Sequence, residues 1–330
     1  MSTEAHKLRQ QLRKSGLTEK AIDAAWPEWW SDELEASPSS RAELRFTLAR
    51  KLGLNPRPLL GERVEFIWRD RARFKHLSAG DDVRQDVMTS FGVSIGKLLI
   101  KATRTIDLPS VSAVDLRTAT LSNAPFVDLQ SLIAICWSVG IPVIHLRVFP
   151  LDRKSMHAMV VEDQGRYAIL LGRDANFPAP VAFTLAHEIG HIMLGHLQGT
   201  SAIVDLEETE YDTRGDPQEE EADAYAITLL TGSPSPEITT NVTSFGAKAL
   251  ARSVLEAGPR RGIEPGTLAL CLAHRTQNWA VAMAALQHIY SESKPVWQEV
   301  NGIARRELDW GQLNDDSADY LEKIMLGPNG

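Results

Sequence analysis

Two histidines and a glutamate stand in the order His187-Glu188-Ile189-Gly190-His191. At 3.6 residues per turn, positions 187 and 191 lie about 40° apart on one helix face and one turn apart along it, so two imidazoles converge on one metal ion. Glu188 falls about 100° round from His187. That places it beside the metal and not on it, where a base that deprotonates a metal-activated water belongs. The flanks are apolar (Phe183, Leu185, Ala186, Ile189, Ile192, Met193, Leu194), so the polar triplet is expected in the interior. Incidental histidines on a helix are the alternative, and the cost of burying such groups without a purpose weighs against it.

Two histidines do not close a zinc site, and the third ligand decides the class. A third histidine six residues after the second, with glycine at the third, is excluded by Leu197 and Leu194. His196, nine positions after His187, projects about 180° away on a continued helix and is expected to serve the terminal carbonyls. The remaining solution is a carboxylate from a second helix. Glu219 to Leu230 (EEEADAYAITLL) starts acidic and turns apolar, with Asp216-Pro217 as its start and Ala222, Ala224 and Ala226 small enough for close helix approach. Glu219 and Asp223 lie one turn apart on one face and suit a ligand and the orienting partner of a ligand histidine. Glu220 and Glu221 are expected to cap the helix and face solvent.

Behind these helices the spacing predicts a mixed α+β unit. Helices are expected over Ser112–Thr120 and Asp128–Val139, a strand over Ile141–Phe149, and two extended runs, His157–Val161 and Arg166–Leu171, joined by a four-residue hairpin, Glu162 to Gly165. A long helix over Val181–Leu197 follows the Asn176-Phe177-Pro178-Ala179-Pro180 breaker. Toward the N-terminus, helices are predicted over Thr3–Ser15, Leu17–Trp26, Arg41–Leu52, Arg63–Lys75 and Asp81–Lys101. The segment 205–216, part of a stretch with ten acids between Asp205 and Asp223, reads as a mobile loop over the cleft.

FTLAHEIGHIMLGH, followed by EEEADAYAITLL, resembles the ImmA/IrrE family of bacterial and phage metallopeptidases, and the GIPVIHL and YAILLG runs match its order. The resemblance covers about residues 110–230. It implies a zincin-like fold, Zn2+ held by His187, His191 and Glu219, Glu188 as general base, and a regulatory protein substrate such as a DNA-binding repressor or an antitoxin. The chain departs from the family after the second helix, at Leu230-Thr231-Gly232-Ser233-Pro234. The expected organisation is a helical module over 1–105, the metallopeptidase domain over 106–235 and a helical region over 236–330. His157, Tyr211, Tyr225 and His274 are unranked candidates for stabilising the oxyanion.

The first helices also resemble repressor-type helix-turn-helix domains, yet the stretch in the recognition-helix position, AWPEWWSDELEASPSS, offers acids, among them Asp32, Glu33 and Glu35, and three tryptophans where a DNA reader offers Arg, Lys, Asn or Gln. Net charge is −8: residues 1–80 hold 15 Lys/Arg against 11 Asp/Glu, a net of +4, which leaves −12 for the rest. Sequence-specific nucleic-acid binding is therefore not expected. The basic, aromatic-interleaved run Arg63–Lys75 could suit single strands, though its helical periodicity favours a solvated linker helix. Neither a signal peptide nor a membrane span is read, which points to a cytoplasmic chain. Cys136 and Cys271 stand in apolar contexts without paired spacing and read as buried thiols. Two other classes compete with the peptidase: a regulatory protein-binding module whose zinc site is idle, and a DNA-binding regulator.

Overall fold

The computed structural model describes residues 3–67, 72–74, 82–151, 156–206, 216–238 and 245–327. Tyr211 and most of the predicted acidic loop, residues 207–215, lie outside them. The chain opens with α1 (Glu4–Lys14) and α2 (Glu19–Ala25), each started by a threonine whose hydroxyl accepts a backbone N–H, Thr3 from His6 and Thr18 from Ala21. Where a recognition helix would lie there is a short 3-10 helix, Asp32–Ala36, before α3 (Pro38–Leu52) and α4 (Pro56–Leu60).

The predicted helix over Arg63–Lys75 does not form in the described part. Backbone from 65 to 67 pairs instead with 53–55, Asn55 N–H donating to Glu65 O (2.7 Å) and Ile67 N–H to Gly53 O (3.0 Å), and Ala72–Phe74 is a strand, β1. These partners lie outside the window in which helical periodicity is read.

A long helix, α5 (Asp82–Lys101), then leads to α6 (Ala113–Leu121) and α7 (Leu129–Ser138). Asp128 and Ser131 cap α7 reciprocally, each side chain accepting the other residue's backbone N–H. Four further strands are β2 (Val143–His145), β3 (Met156–Asp163), β4 (Arg166–Leu171) and β5 (Ala202–Leu206). They form a mixed five-stranded sheet with β1 in the order β1-β5-β3-β4-β2. Central β3 runs antiparallel to both of its neighbours, β4 and β5, and both edges are added parallel.

The β3–β4 hairpin closes through two residues, Gln164 and Gly165, both at positive φ (55° and 76°). This is the turn whose twist matches the flanking strands, and it is tighter than the four-residue connection expected. The strand predicted over Ile141–Phe149 is shorter than expected because the backbone leaves the sheet after Leu146, where Arg147 N–H donates to Ile324 O (2.9 Å).

Helix α5 covers one face of the sheet. A Cβ on its Gly92 would clash with Met159 and one on its Gly96 with Val161, so glycine lets this helix lie close to β3. Helix α8 (Pro178–Met193) packs against β3 and β4 on the other face, with α7, α9 (Pro217–Thr231) and α11 (Pro265–Thr276) around it. The remaining helices are α10 (Ala247–Arg261), α12 (Trp279–Ile289), α13 (Val296–Glu307) and α14 (Asp315–Leu326).

One hydrophobic cluster runs from Leu8 through the sheet and α8 to Met325, while α10, α11 and α12 bury a second around Leu250, Val254 and Ala269. Asn301 of α13 occupies the outer side of β2: its carbonyl accepts from His145 N–H (2.7 Å) and its amide donates to His145 O (2.8 Å). That replaces a further strand. Among the described residues, no helix is long and apolar enough to cross a membrane.

Candidate metal centre

Helix α8 is buried on every side over Leu185–Ile192. A helix apolar all round belongs in an interior, and this one carries its polar residues there: Glu188 and His191 are fully buried and His187 nearly so. Gly190, costly in a helix interior, is explained by its neighbour. A Cβ there would lie 3.1 Å from Ala222 O and 3.2 Å from Tyr225 Cβ, so glycine and the small Ala222 bring α9 against α8. Asp216 caps α9 by accepting from Gln218 N–H, and Pro217 takes the first position.

This close approach brings Glu219 to the histidine pair. Its two carboxylate oxygens lie 3.4 Å from His187 Nε2 and 3.5 Å from His191 Nε2, and the two Nε2 atoms are 3.0 Å apart. His187, His191 and Glu219 form a group that could hold a metal ion. Asp223, one turn beyond Glu219, accepts from His187 Nδ1 at 2.8 Å. The structure thus brings together Glu219 and Asp223 on α9 with His187 and His191, while Glu188 is the buried residue next to the first histidine.

Two expectations are corrected. His196 does not serve the end carbonyls of a continued helix. Helix α8 stops at Met193, Gly195 turns the chain at φ 73°, and the returning imidazole is buried with its Nδ1 2.8 Å from His191 Nδ1. Glu221 is exposed as a residue, yet its carboxylate lies 3.1 Å from His196 Nε2.

Proton bookkeeping follows from these contacts. A carboxylate only accepts, so His187 donates Nδ1–H to Asp223, and His196 donates Nε2–H to Glu221. With its proton on Nε2, His196 can accept at Nδ1 from His191 Nδ1–H. The Nε2 atoms of His187 and His191 then face each other and the Glu219 carboxylate. Two imidazole nitrogens and a carboxylate at these separations could share one cation.

Of the four oxyanion candidates, the three among the described residues each have a partner outside the histidine–carboxylate group. Tyr225 is buried beneath α8, its hydroxyl donating to Val111 O (2.9 Å) and its pKa pushed up to about 12, first by burial. His157, at the start of β3, faces Asp205 of β5 at 3.7 Å, so Asp205 belongs to the sheet and not to a loop. His274 is exposed and meets Trp279 edge to face. Tyr211 is not among the described residues.

Residues 166–294 match the family model of Peptidase U49. This is a peptidase family, and the match supports a peptidase activity for the region it covers. No curated protein and no solved structure matches the chain. The Peptidase U49 region begins at β4 and includes α8, β5 and α9, hence His187, Glu188, His191, His196, Glu219, Glu221 and Asp223.

A residue outside the matched region also positions the site. Arg117 of α6 is buried, and its guanidinium donates to the carbonyls of Leu229 (3.1 Å) and Leu230 (2.8 Å) near the end of α9 and of Gly262 (2.6 Å) beyond α10. A lone arginine on a short helix carries no sequence signal for such a role.

Proposed function

We propose that this protein is a zinc-dependent endopeptidase that cuts a specific protein partner, a repressor-like regulator. The observation that carries the reading is the convergence of His187 Nε2, His191 Nε2 and the Glu219 carboxylate next to buried Glu188, inside a region that matches a peptidase family. Two imidazoles and one carboxylate make a catalytic zinc set, which leaves a position open for water or substrate. Ligands at about 2.0–2.1 Å around a tetrahedral ion lie about 3.3 Å from one another, and the separations here run from 3.0 to 3.5 Å.

Zn2+ at this position would polarise the scissile carbonyl and acidify the attacking water. Glu188 takes the proton from that water and passes it to the leaving amine. Asp223 holds the His187 ring with Nε2 directed to the site. The partner class rests on the ImmA/IrrE resemblance of residues 110–230.

Glu188→Gln tests the mechanism. The variant should retain about one zinc per chain and lose hydrolysis of a genuine partner, since an amide cannot accept the proton. Cleavage at the wild-type rate would refute the assignment.

A further inference from the structure

We propose that His196 is a positioning residue for the metal site, carrying the hydrogen bond of a surface carboxylate, Glu221, to the buried ligand His191; this rests on the zinc reading above. The two ligand histidines are oriented differently. His187 meets a carboxylate directly, with Asp223 at 2.8 Å. His191, only 1% exposed, is reached through an intervening imidazole: His191 Nδ1 to His196 Nδ1 is 2.8 Å and His196 Nε2 to Glu221 Oε2 is 3.1 Å.

The local chain is shaped for this contact. Leu194 N–H still bonds back to Gly190 O, Gly195 takes the left-handed conformation, and His196 N–H donates to His191 O at 3.0 Å, which folds the residue under the ligand it serves. The two rings sit edge to face with centroids 5.0 Å apart. Only a side chain that accepts at one atom and donates at another can link His191 Nδ1–H to a carboxylate, and neutral imidazole does this. His196 is 5% exposed and Glu221 61% exposed, so the anchor at the end of the line is a surface side chain. The line sets the His191 ring with Nε2 directed at His187 and Glu219 and makes that nitrogen a better donor to a metal, as an orienting partner does for a ligand histidine.

The test uses the full chain and four variants, His196→Leu, His196→Gln, Glu221→Gln and Glu220→Gln. Three readouts apply: zinc affinity by competition with a chelating indicator, the visible spectrum of the Co2+-substituted protein, and the melting temperature of the metal-free protein. His196→Leu should bind zinc about 10–100-fold more weakly and shift the Co2+ spectrum. His196→Gln, whose amide can still accept and donate, should recover part of the loss. Glu221→Gln lies at the surface and leaves folding intact; it should weaken zinc several-fold, while Glu220→Gln matches wild type. A purely structural His196 would lower the metal-free melting temperature and leave affinity and spectrum unchanged, and that result overturns the proposal. So does a Glu221→Gln protein indistinguishable from Glu220→Gln. Wild-type protein that takes up neither metal would overturn the zinc reading along with the relay, whereas normal uptake by every variant would overturn the relay alone.

Discussion

Replacing Arg117 with methionine should both destabilise the fold and loosen the metal site. The guanidinium is buried, which pushes its pKa down, and its partners are carbonyls, not carboxylates. It therefore works as a shared C-terminal cap: two of its bonds complete the last turn of α9, and the third holds the residue that ends α10. Methionine fills similar volume and supplies no donor. Three carbonyls then lose their partner at about 1–3 kcal/mol each, so at about 1 kcal/mol apiece the loss is at least about 3 kcal/mol.

Urea unfolding followed by tryptophan fluorescence measures this, with the midpoint falling and the slope unchanged. Arg117→Lys should recover less than half, because one ammonium cannot span two helix ends as a planar fork does. Since α9 also carries Glu219 and Asp223, the methionine variant should bind zinc more weakly in the same preparation. A stability within about 1 kcal/mol of wild type would refute the shared-cap argument, because it would mean that water satisfies all three carbonyls at no cost.

Glu219→Gln should lose most zinc affinity, since the amide oxygen lacks the charge that draws the ion, and Asp223→Asn should lose about 10–100-fold; competition titration that leaves Glu219→Gln at wild-type affinity would remove it from the ligand set. Cys136, whose thiol burial raises to about 12, and Cys271, raised by burial to about 11, should both react slowly with iodoacetamide at pH 8 and rapidly in urea, because the thiolate is the reactive form. Fast modification of the native protein, read by mass spectrometry, would contradict their placement.

What the sequence made legible was what short-range geometry controls. His187, Glu188 and His191 are spaced by a single helical turn, and Glu219 stood out from Glu220 and Glu221 because Asp223 follows it by one turn; the structure brings that pair to His187. The same reasoning misplaced His196, since the angle of nine residues has meaning only on a helix that continues, and α8 stops at Met193. Gly195 was the available signal, a residue suited to the left-handed turn that ends helices. Once the chain turns there, His196 needs a partner beyond His191, and Glu221 follows.

Other misses share a cause. Ala202–Leu206 runs into the acidic segment read as a loop from Asp205, and its partners, Met156 to Val161 on one side and β1 on the other, are distant in sequence. Arg117 bonds to residues 112 to 145 positions away. Each of these contacts spans sequence separations that periodicity cannot register, and each fixes either the sheet under α8 or the helix that faces it. His187, Glu188 and His191 could be read locally because they share one helical turn, whereas the parts that hold α9 against α8 depend on chain segments that meet only when the whole domain closes.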